Sequence, residues 1–307
     1  MDTMKRLLLP VLIGSILLAV VISGCFEKGN GPSTSAPNVN SEQIKALSLS
    51  AAKNVTTYKF SIDTTQNMEM INNTSGLTSN VTMITTAQGA TDFKAKAASV
   101  TQTLKAYQGQ DTNSTSVESS TYVINDTIYV KFGNNWTSVK MPDAAQFWES
   151  QNMILAQTDM INASQVQIAG TETVDGVKCY GLKVTPSLPV YAAILYEHVG
   201  SVLPVMYMNL TELYNSGTSD WAAWTTQDTH LLKKSTMDVA FTVTAKVLGA
   251  TPTEVGNTEI KVNLASTSDF SDFNSPVQIA LPPAAKSATV MTATPVTTTP
   301  VSAPSAA

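Results

Sequence analysis

The chain has 307 residues, a length that allows two domains or one large domain built mainly of strands. Charged residues make up 13%, about half of the usual share, whereas serine and threonine together number 71. Arg6 is the only arginine, and it lies in a segment that we expect to be removed. Because recognition of phosphates and base edges depends heavily on guanidinium groups, nucleic-acid partners are nearly excluded.

The beginning of the chain has the pattern of an export signal. Lys5 and Arg6 precede an apolar run over 7–22, and small residues follow that run. The sixteen residues of the run would form a helix of roughly 24 Å, which is short of the ~30 Å hydrocarbon core of a bilayer. A cleaved signal peptide therefore fits this segment better than a spanning helix.

The sequence Ile-Ser-Gly-Cys at 22–25 resembles the lipobox of bacterial and archaeal lipoproteins. This resemblance implies cleavage before Cys25 and a lipid on that residue, which would anchor the chain to the extracytoplasmic face of the cell membrane. The alternative is an uncleaved signal anchor with an incidental cysteine. Since positive charge precedes the apolar run and none directly follows it, both interpretations place the rest of the chain outside the cytoplasm.

Composition divides the remaining chain into three parts. Residues 25–40 are rich in Gly, Asn, Ser and Pro, which is typical of a flexible tether. Residues 287–307 are rich in Thr and Pro and predict a disordered tail. We therefore expect a signal peptide at 1–24, the tether at 25–40, one domain at 41–286 and the tail after it.

Acceptor motifs for N-glycosylation, Asn-X-Ser/Thr, occur at roughly twice the frequency that the composition would supply by chance. This excess predicts a surface-exposed glycoprotein, although abundant Asn and Thr in polar turns would leave the same pattern. The nine acceptors are Asn54, Asn72, Asn73, Asn80, Asn113, Asn125, Asn135, Asn162 and Asn209.

The first elements of the domain are a helix and several strands. Asn40 is a suitable N-cap for a helix, because apolar residues then recur at spacings of three and four. Alternation of apolar and polar residues over 58–63 predicts a half-buried strand, and polar-alternating strands are expected at 81–87, 92–107 and 115–124. The apolar positions of the helix are Ile44, Leu47, Ala51 and Val55.

Turns and a long helix are predicted next. Turns at 125–126 and 133–135 enclose a short strand, and Pro142 suits the first turn of a helix that runs to about Ile161. The Asp-Gly pair at 175–176 closes a hairpin. A second helical passage over 189–214, broken near Pro204, is followed by strands at 221–227, 229–248 and 254–269.

Many antiparallel strands with few helices predict an α+β fold in which one large sheet is covered on one face. A sheet of this size has to curl. The order of the elements, the hairpin strand at 179–184 and the closing segment DFSDFNSPVQIALP at 269–282 resemble the superfamily of lipoprotein carriers, which includes LolA, LolB and mycobacterial lipoproteins of the LppX and LprG type. This resemblance implies a half-barrel: a curved antiparallel sheet whose concave face is covered by helices and holds acyl chains.

No sequence pattern indicates catalysis, and the resemblance brings no catalytic motif. His198 and His230 have no nucleophile at a recognisable spacing, and Cys179 on a strand is best explained as an inert apolar residue. Residues 269–274 lack the glycine and the glutamate of a calcium loop, which favours a structural turn. We therefore predict a protein that is not an enzyme and that has neither a cofactor nor a metal site.

The helical passages are rich in methionine and aromatic residues, which suit an adaptable apolar lining for an acyl chain. The alternative is that the same residues only fill the core between helices and sheet. The residues predicted to line a ligand site are Met153, Leu155, Met160, Tyr191, Leu195, Leu203, Met206 and Met208.

The sequence thus predicts a lipid-anchored, extracytoplasmic lipoprotein whose partners are the membrane, through Cys25, and a lipid or another hydrophobic ligand. The alternative is a glycosylated structural or adhesive module of the cell surface that binds no ligand. Oligomeric state is not determined by the sequence.

Overall fold

A computed structural model of the protein describes residues 40–109, 114–199, 203, 205, 208–249 and 257–291. The predicted signal peptide, Cys25, nearly all of the tether and most of the tail lie outside the described residues, as do Met206 and Asn113. No helix in the described part of the chain is long and apolar enough to cross a bilayer.

Twelve strands of the described residues form one sheet. The strands are β1 (Thr57–Asn72), β2 (Leu77–Asp92), β3 (Ala97–Gln108), β4 (Ser114–Ile124), β5 (Thr127–Phe132), β6 (Asn135–Lys140), β7 (Gln165–Val174), β8 (Val177–Thr185), β9 (Thr218–Thr226), β10 (Leu232–Val243), β11 (Thr258–Ser271) and β12 (Thr289–Val290). Their spatial order is β12-β6-β5-β4-β3-β2-β1-β11-β10-β9-β8-β7, and all neighbours are antiparallel except β12 and β6. The sheet is an open, curved half-barrel, which confirms the predicted fold class.

The pairing of β1 with β11 joins the two ends of the domain in the middle of the sheet. These strands are paired from Lys59 opposite Ser271 to Asn72 opposite Thr258. On its other side β1 pairs along its whole length with β2, from Thr57 opposite Asp92 to Asn72 opposite Leu77. The strands β2–β6 and β7–β10 therefore lie on either side of a central pair, β1 and β11. These two strands are remote from each other in sequence.

In the described ranges, five α-helices accompany the sheet: α1 (Ser41–Lys53), α2 (Ala144–Ser150), α3 (Met153–Asn162), α4 (Leu188–Val199) and α5 (Leu210–Ser216). The predicted N-cap of α1 is confirmed, since the Asn40 side chain accepts from Gln43 N at 2.8 Å and the Gln43 side chain accepts from Asn40 N at 3.1 Å. Such a reciprocal cap stabilises a helix by about 1 kcal/mol. A 3-10 helix (Pro283–Ser287) precedes β12.

The single helix expected from Pro142 to Ile161 is wrong, because the structure has α2 and α3 with a break between them. Asn152 explains the break: its carbonyl oxygen accepts from Leu155 N at 3.0 Å, and its amide donates to Ala52 O at 3.3 Å. An asparagine that caps the next helix ends the preceding one, since its side chain replaces a main-chain partner.

Three smaller expectations also fail. Of the apolar positions predicted for α1, Ile44 is buried but Leu47 is exposed. The other buried residues of α1, which contacts α3 and β7, are Lys45, Ser48 and Ala52. The strand expected from residue 92 begins at Ala97, after a turn. Thr289 and Val290 were assigned to the tail, yet they pair with β6, so the folded part extends past residue 286.

The closing segment, residues 269–282, is held against the start of β1 by hydrogen bonds and an ion pair, as expected of a structural turn. Asn274 Oδ1 accepts from Thr56 N at 2.7 Å, and Thr57 Oγ1 donates to Ser275 O at 2.7 Å. Lys59 forms an ion pair of 2.7 Å with Asp272. Phe270 is fully buried in β11, one of the two central strands of the sheet.

Candidate ligand-binding groove

The register of the sheet assigns each strand residue to one of two faces, because side chains alternate along a strand and directly opposed residues share a face. We call the face that carries Tyr58, Phe60 and Ile62 the inner face, and its opposite the outer face. Phe60 is opposed by Gly89 on β2 and by Phe270 on β11, which carries the assignment to both sides of the sheet. The pairing of the other strands extends it outward.

Charge is separated between the two faces over most of the sheet. In β1–β6, β9, β11 and the part of β10 from Lys234 onward, no inner-face position carries Asp, Glu or Lys. The exception nearby is Lys233 at a bulge of β10, whose ammonium donates to Phe270 O at 3.3 Å and pairs with Asp175 at 2.9 Å. The outer-face charges are Lys59, Asp63, Glu69, Asp92, Lys105, Glu118, Lys131, Lys140, Asp220, Lys234, Asp238, Glu259, Lys261 and Asp269.

Helices cover one half of the inner face. On β9, β10 and β11, which we call the covered half, Trp221, Met237, Val239 and Val262 are all nearly inaccessible. Residues of α4 and α5, such as Ile194 and Leu213, belong to the same buried cluster. The Trp221 indole N–H donates to Ser235 Oγ at 2.9 Å, so its polar group is satisfied within the core.

The other half of the inner face, on β2–β5, stays partly accessible, and we call it the open half. Most of its apolar side chains keep contact with solvent. Phe132 is 45% exposed. No charge interrupts this surface, which runs along the sheet and which we call the groove. The partly exposed apolar residues are Val81, Met83, Val100, Leu104, Val117, Ile128 and Val130.

The groove is closed at one end of the strands. There the Tyr58 ring packs against Phe60, Phe93 and Phe270, with centroid distances of 6.0 to 6.2 Å. The Tyr58 hydroxyl donates to Gln151 O, between α2 and α3, at 3.4 Å. Burial raises the pKa of Tyr58 to about 12, so this phenol stays neutral.

Helix α2 also covers this closed end, since the indole N–H of its Trp148 donates to Asn125 O at 2.7 Å. At the other end of the strands, Met70 is 45% and Leu77 is 72% exposed, both on the inner face. We call this the open end. The groove therefore has a direction, from an aromatic closed end to an accessible apolar end.

The predicted lining residues that the structure describes belong to the main hydrophobic cluster or pack against it. Tyr191, Leu195, Leu203 and Met208 are buried members of the main hydrophobic cluster. Tyr191 packs edge-on against Tyr214 with centroids 5.3 Å apart. Partly buried neighbours of the same cluster include Met153, Leu155 and Met160. The four buried residues therefore fit the alternative that they fill the core between the helices and the sheet. Contact of any predicted lining residue with a ligand stays a prediction.

Sequence reasoning missed the open half as the accessible surface. The signal for it was present in the charges: Lys105, Glu118 and Lys131 all fall at positions whose neighbours on either side are uncharged. Only the register shows that these charges share one face, because the face of a strand depends on its partners.

Two further depressions lie elsewhere on the sheet. One, of about 590 Å³, is lined mainly by outer-face residues of β3–β5, among them Thr101, Glu118 and Lys131. Another, of about 220 Å³, adjoins the directly opposed carboxylates Asp220 and Asp238. Burial, together with the charge of Asp220, raises the pKa of Asp238.

The titratable residues singled out in the sequence are held apart. His198 Nε2 is buried without a hydrogen-bond partner, and burial lowers the pKa of the His198 imidazole to about 4. The His230 ring lies beside that of Tyr180, with centroids 6.4 Å apart. Cys179 is buried, and burial raises the pKa of its thiol to about 11, which fits an inert residue. Within the described ranges, no three His, Cys, Asp or Glu residues gather as a metal site.

No protein-family model matches the sequence, and no curated protein sequence matches it. Among solved structures, the chain is similar to LprF from Mycobacterium bovis, with 16% identity, a TM-score of 0.40, and coverage of 78% of this chain and 96% of that one. LppX from Mycobacterium tuberculosis has 15% identity, a TM-score of 0.35, and coverage of 78% and 97%. A LolA superfamily protein from Nitrosomonas europaea has 9% identity, a TM-score of 0.21, and coverage of 78% and 95%.

Two of these structures, LppX and the LolA superfamily protein, carry names from the superfamily that the sequence resembles. The order and register of the twelve strands of this chain establish its own fold class.

Proposed function

We propose that the protein binds a lipid or another hydrophobic ligand in the groove on the open half of its inner face. One observation carries this proposal: a broad, uncharged and mainly apolar surface that the helices leave partly accessible. A monomeric soluble protein rarely leaves such a surface uncovered unless a ligand or partner occupies it. The closed aromatic end and the accessible apolar end suit a long, flexible ligand that lies along the strands.

Ligand binding is tested with the full chain, purified without strong detergent. Native mass spectrometry should find a bound lipid, and a fluorescent fatty acyl probe should bind with saturation. A homogeneous preparation with no bound lipid and no uptake of the probe would contradict the proposal. That result would favour the alternative of a structural or adhesive module.

A pair of variants locates the binding surface. Leu104 and Thr103 are neighbours on β3, the first on the inner face and the second on the outer face. Leu104→Lys places a charge in the groove and should reduce probe binding at least tenfold, whereas Thr103→Lys should leave it unchanged. Equal effects of the two variants would exclude the groove as the site.

The proposal includes an anchor at Cys25, because a lipobox-like sequence precedes it and a tether-like segment follows it. A lipid at this position would hold the domain on the extracytoplasmic face of the membrane, within reach of membrane lipids. Cys25→Ala should move the protein from the membrane pellet to the medium. Unchanged membrane retention would overturn the anchor without affecting the groove.

Glycosylation is a further part of the proposal. Seven of the eight acceptors within the described residues are exposed, and Asn72 is partly exposed. Asn54 is the C-cap of α1 and donates to Ser50 O, which leaves its amide at the surface. The mass of the natural protein, measured before and after enzymatic or chemical deglycosylation, checks this expectation. Identical masses would contradict it.

A further inference from the structure

A band of uncharged polar side chains crosses the groove. On β1 it contains Thr64 and Gln66, and on β2 it contains Thr85, which lies directly opposite Thr64. On β3 and β4 it continues as Gln102 and Ser119, which oppose each other directly. These residues are inner-face neighbours by register, so amides and hydroxyls form one stripe across four adjacent strands.

Apolar residues flank this band in both directions along the strands. Toward the open end lie Met68, Val81 and Met83, and toward the closed end lie Ile62 and Val100. The inner face of β1–β3 is thus mainly apolar, then polar, then mainly apolar along the strands. A ligand that is apolar throughout would leave the polar stripe unmatched in its middle.

Gln66 is the most informative member of the band. The residue is only 6% exposed, and its Nε2 is buried without any hydrogen-bond partner. It stands at the border of the two halves, between the buried Leu264 on β11 and the partly exposed Met83 on β2. A buried amide donor without an acceptor is unfavourable, so an acceptor supplied from the groove would stabilise it.

The ligand group that fits this donor is uncharged. No Lys lies at an inner-face position of β1–β6, so a buried carboxylate or phosphate would have no counter-charge. An ester or amide carbonyl accepts from an N–H without needing one.

We infer that the groove selects a lipid with an uncharged carbonyl linkage between two apolar arms, and that Gln66 donates to this carbonyl. One arm would extend toward the aromatic closed end and the other toward Met70 and Leu77. This inference rests on the proposed function and adds the class of ligand. Gln66 would then determine specificity without contributing to the apolar contacts.

The experiment compares three competitors for the acyl probe on the full chain: the ester oleyl oleate, the hydrocarbon squalene and the oleate anion. All are delivered in the same non-ionic detergent at neutral pH. The ester should compete at least tenfold better than the other two. Equal competition by all three would overturn the inference while leaving the proposed function intact, whereas absence of probe binding would overturn both.

Gln66→Leu removes the donor at nearly constant volume, and Met68→Leu, at the next inner-face position of β1, is its matched control. Gln66→Leu should reduce the preference for the ester to less than threefold and leave squalene competition unchanged. Met68→Leu should keep the preference. Retention of the full preference by Gln66→Leu would overturn the role of Gln66. If that variant does not fold, the selectivity of the natural chain still decides the ligand class.

Discussion

The covered and open halves of the inner face have the same alternation of side chains but different surroundings. Met237 in the covered half and Leu104 in the open half lie in one row across the sheet, linked through Ser266, Thr64 and Thr85. Met237 is 1% exposed, whereas Leu104 is partly accessible. One half of a sheet face can therefore contribute to the hydrophobic core while the other half remains accessible to a ligand.

The largest expected effect comes from placing the same charge in each half. Met237→Lys buries an unpaired ammonium and should lower the free energy of unfolding by at least about 4 kcal/mol. Leu104→Lys can extend its ammonium to water along the groove and should lose only about 1 kcal/mol. Urea unfolding measures both changes when the curves are fitted with the same dependence of the free energy of unfolding on urea concentration. Equal losses would show that the two halves are equally covered.

A large aromatic residue from each half gives the next comparison. Trp221 is fully buried, so Trp221→Ala should lower the free energy of unfolding by about 3 to 5 kcal/mol. Phe132 is 45% exposed, and Phe132→Ala should cost less than about 1 kcal/mol. Thermal unfolding followed by circular dichroism checks the difference. A costly Phe132→Ala would mean that Phe132 belongs to the core.

Close packing at the closed end predicts a smaller effect. A Cβ at Gly89 would collide with Ser99 O and would lie 2.6 Å from Phe60 Cζ. Gly89→Ala should therefore lower the free energy of unfolding by about 2 kcal/mol. At Gly181 the nearest atom would be the flexible Glu172 carboxylate, at 3.2 Å. Gly181→Ala is the control and should cost less than about 1 kcal/mol.

The smallest expected effect is a pH dependence of stability that arises from His198 in α4, one of the covering helices. The pKa of His198 is lowered by burial from 6.5 to about 4, so the unfolded chain binds a proton in this interval and the folded chain does not. Stability should fall by about 1.5 kcal/mol as the pH decreases from 6.5 to 5. His198→Gln should remove this component, and His230→Gln should keep it. An unchanged pH profile for His198→Gln would contradict the buried position of the ring.

Local patterns predicted much of the fold. Alternation at Tyr58, Phe60 and Ile62 placed a buried face on β1, and Asp175-Gly176 marked the turn between β7 and β8 correctly. Prediction failed where side chains make tertiary contacts. Asn152 divides α2 from α3 while its amide bonds to Ala52 O, a partner one hundred residues away.

The candidate site was less predictable than the fold. Methionine and aromatic content indicated apolar helices, and Tyr191 and Leu195 are buried in the main hydrophobic cluster, whereas their contact with a ligand stays a prediction. Composition cannot separate these roles, because a lining and a core require the same apolar side chains. The polar band was also hidden, since Gln66, Thr85 and Ser119 become neighbours only when their strands pair.

The sequence by itself determined the low charge, the absence of arginine after residue 6, the strand periodicity and the turns, because these depend on residue identity and on local backbone preferences. The tertiary structure alone decided that β1 pairs with β11, that charge lies on one face and that the open half stays accessible. The physical reason is that a strand has no fixed inside until its partners and covering helices are in place.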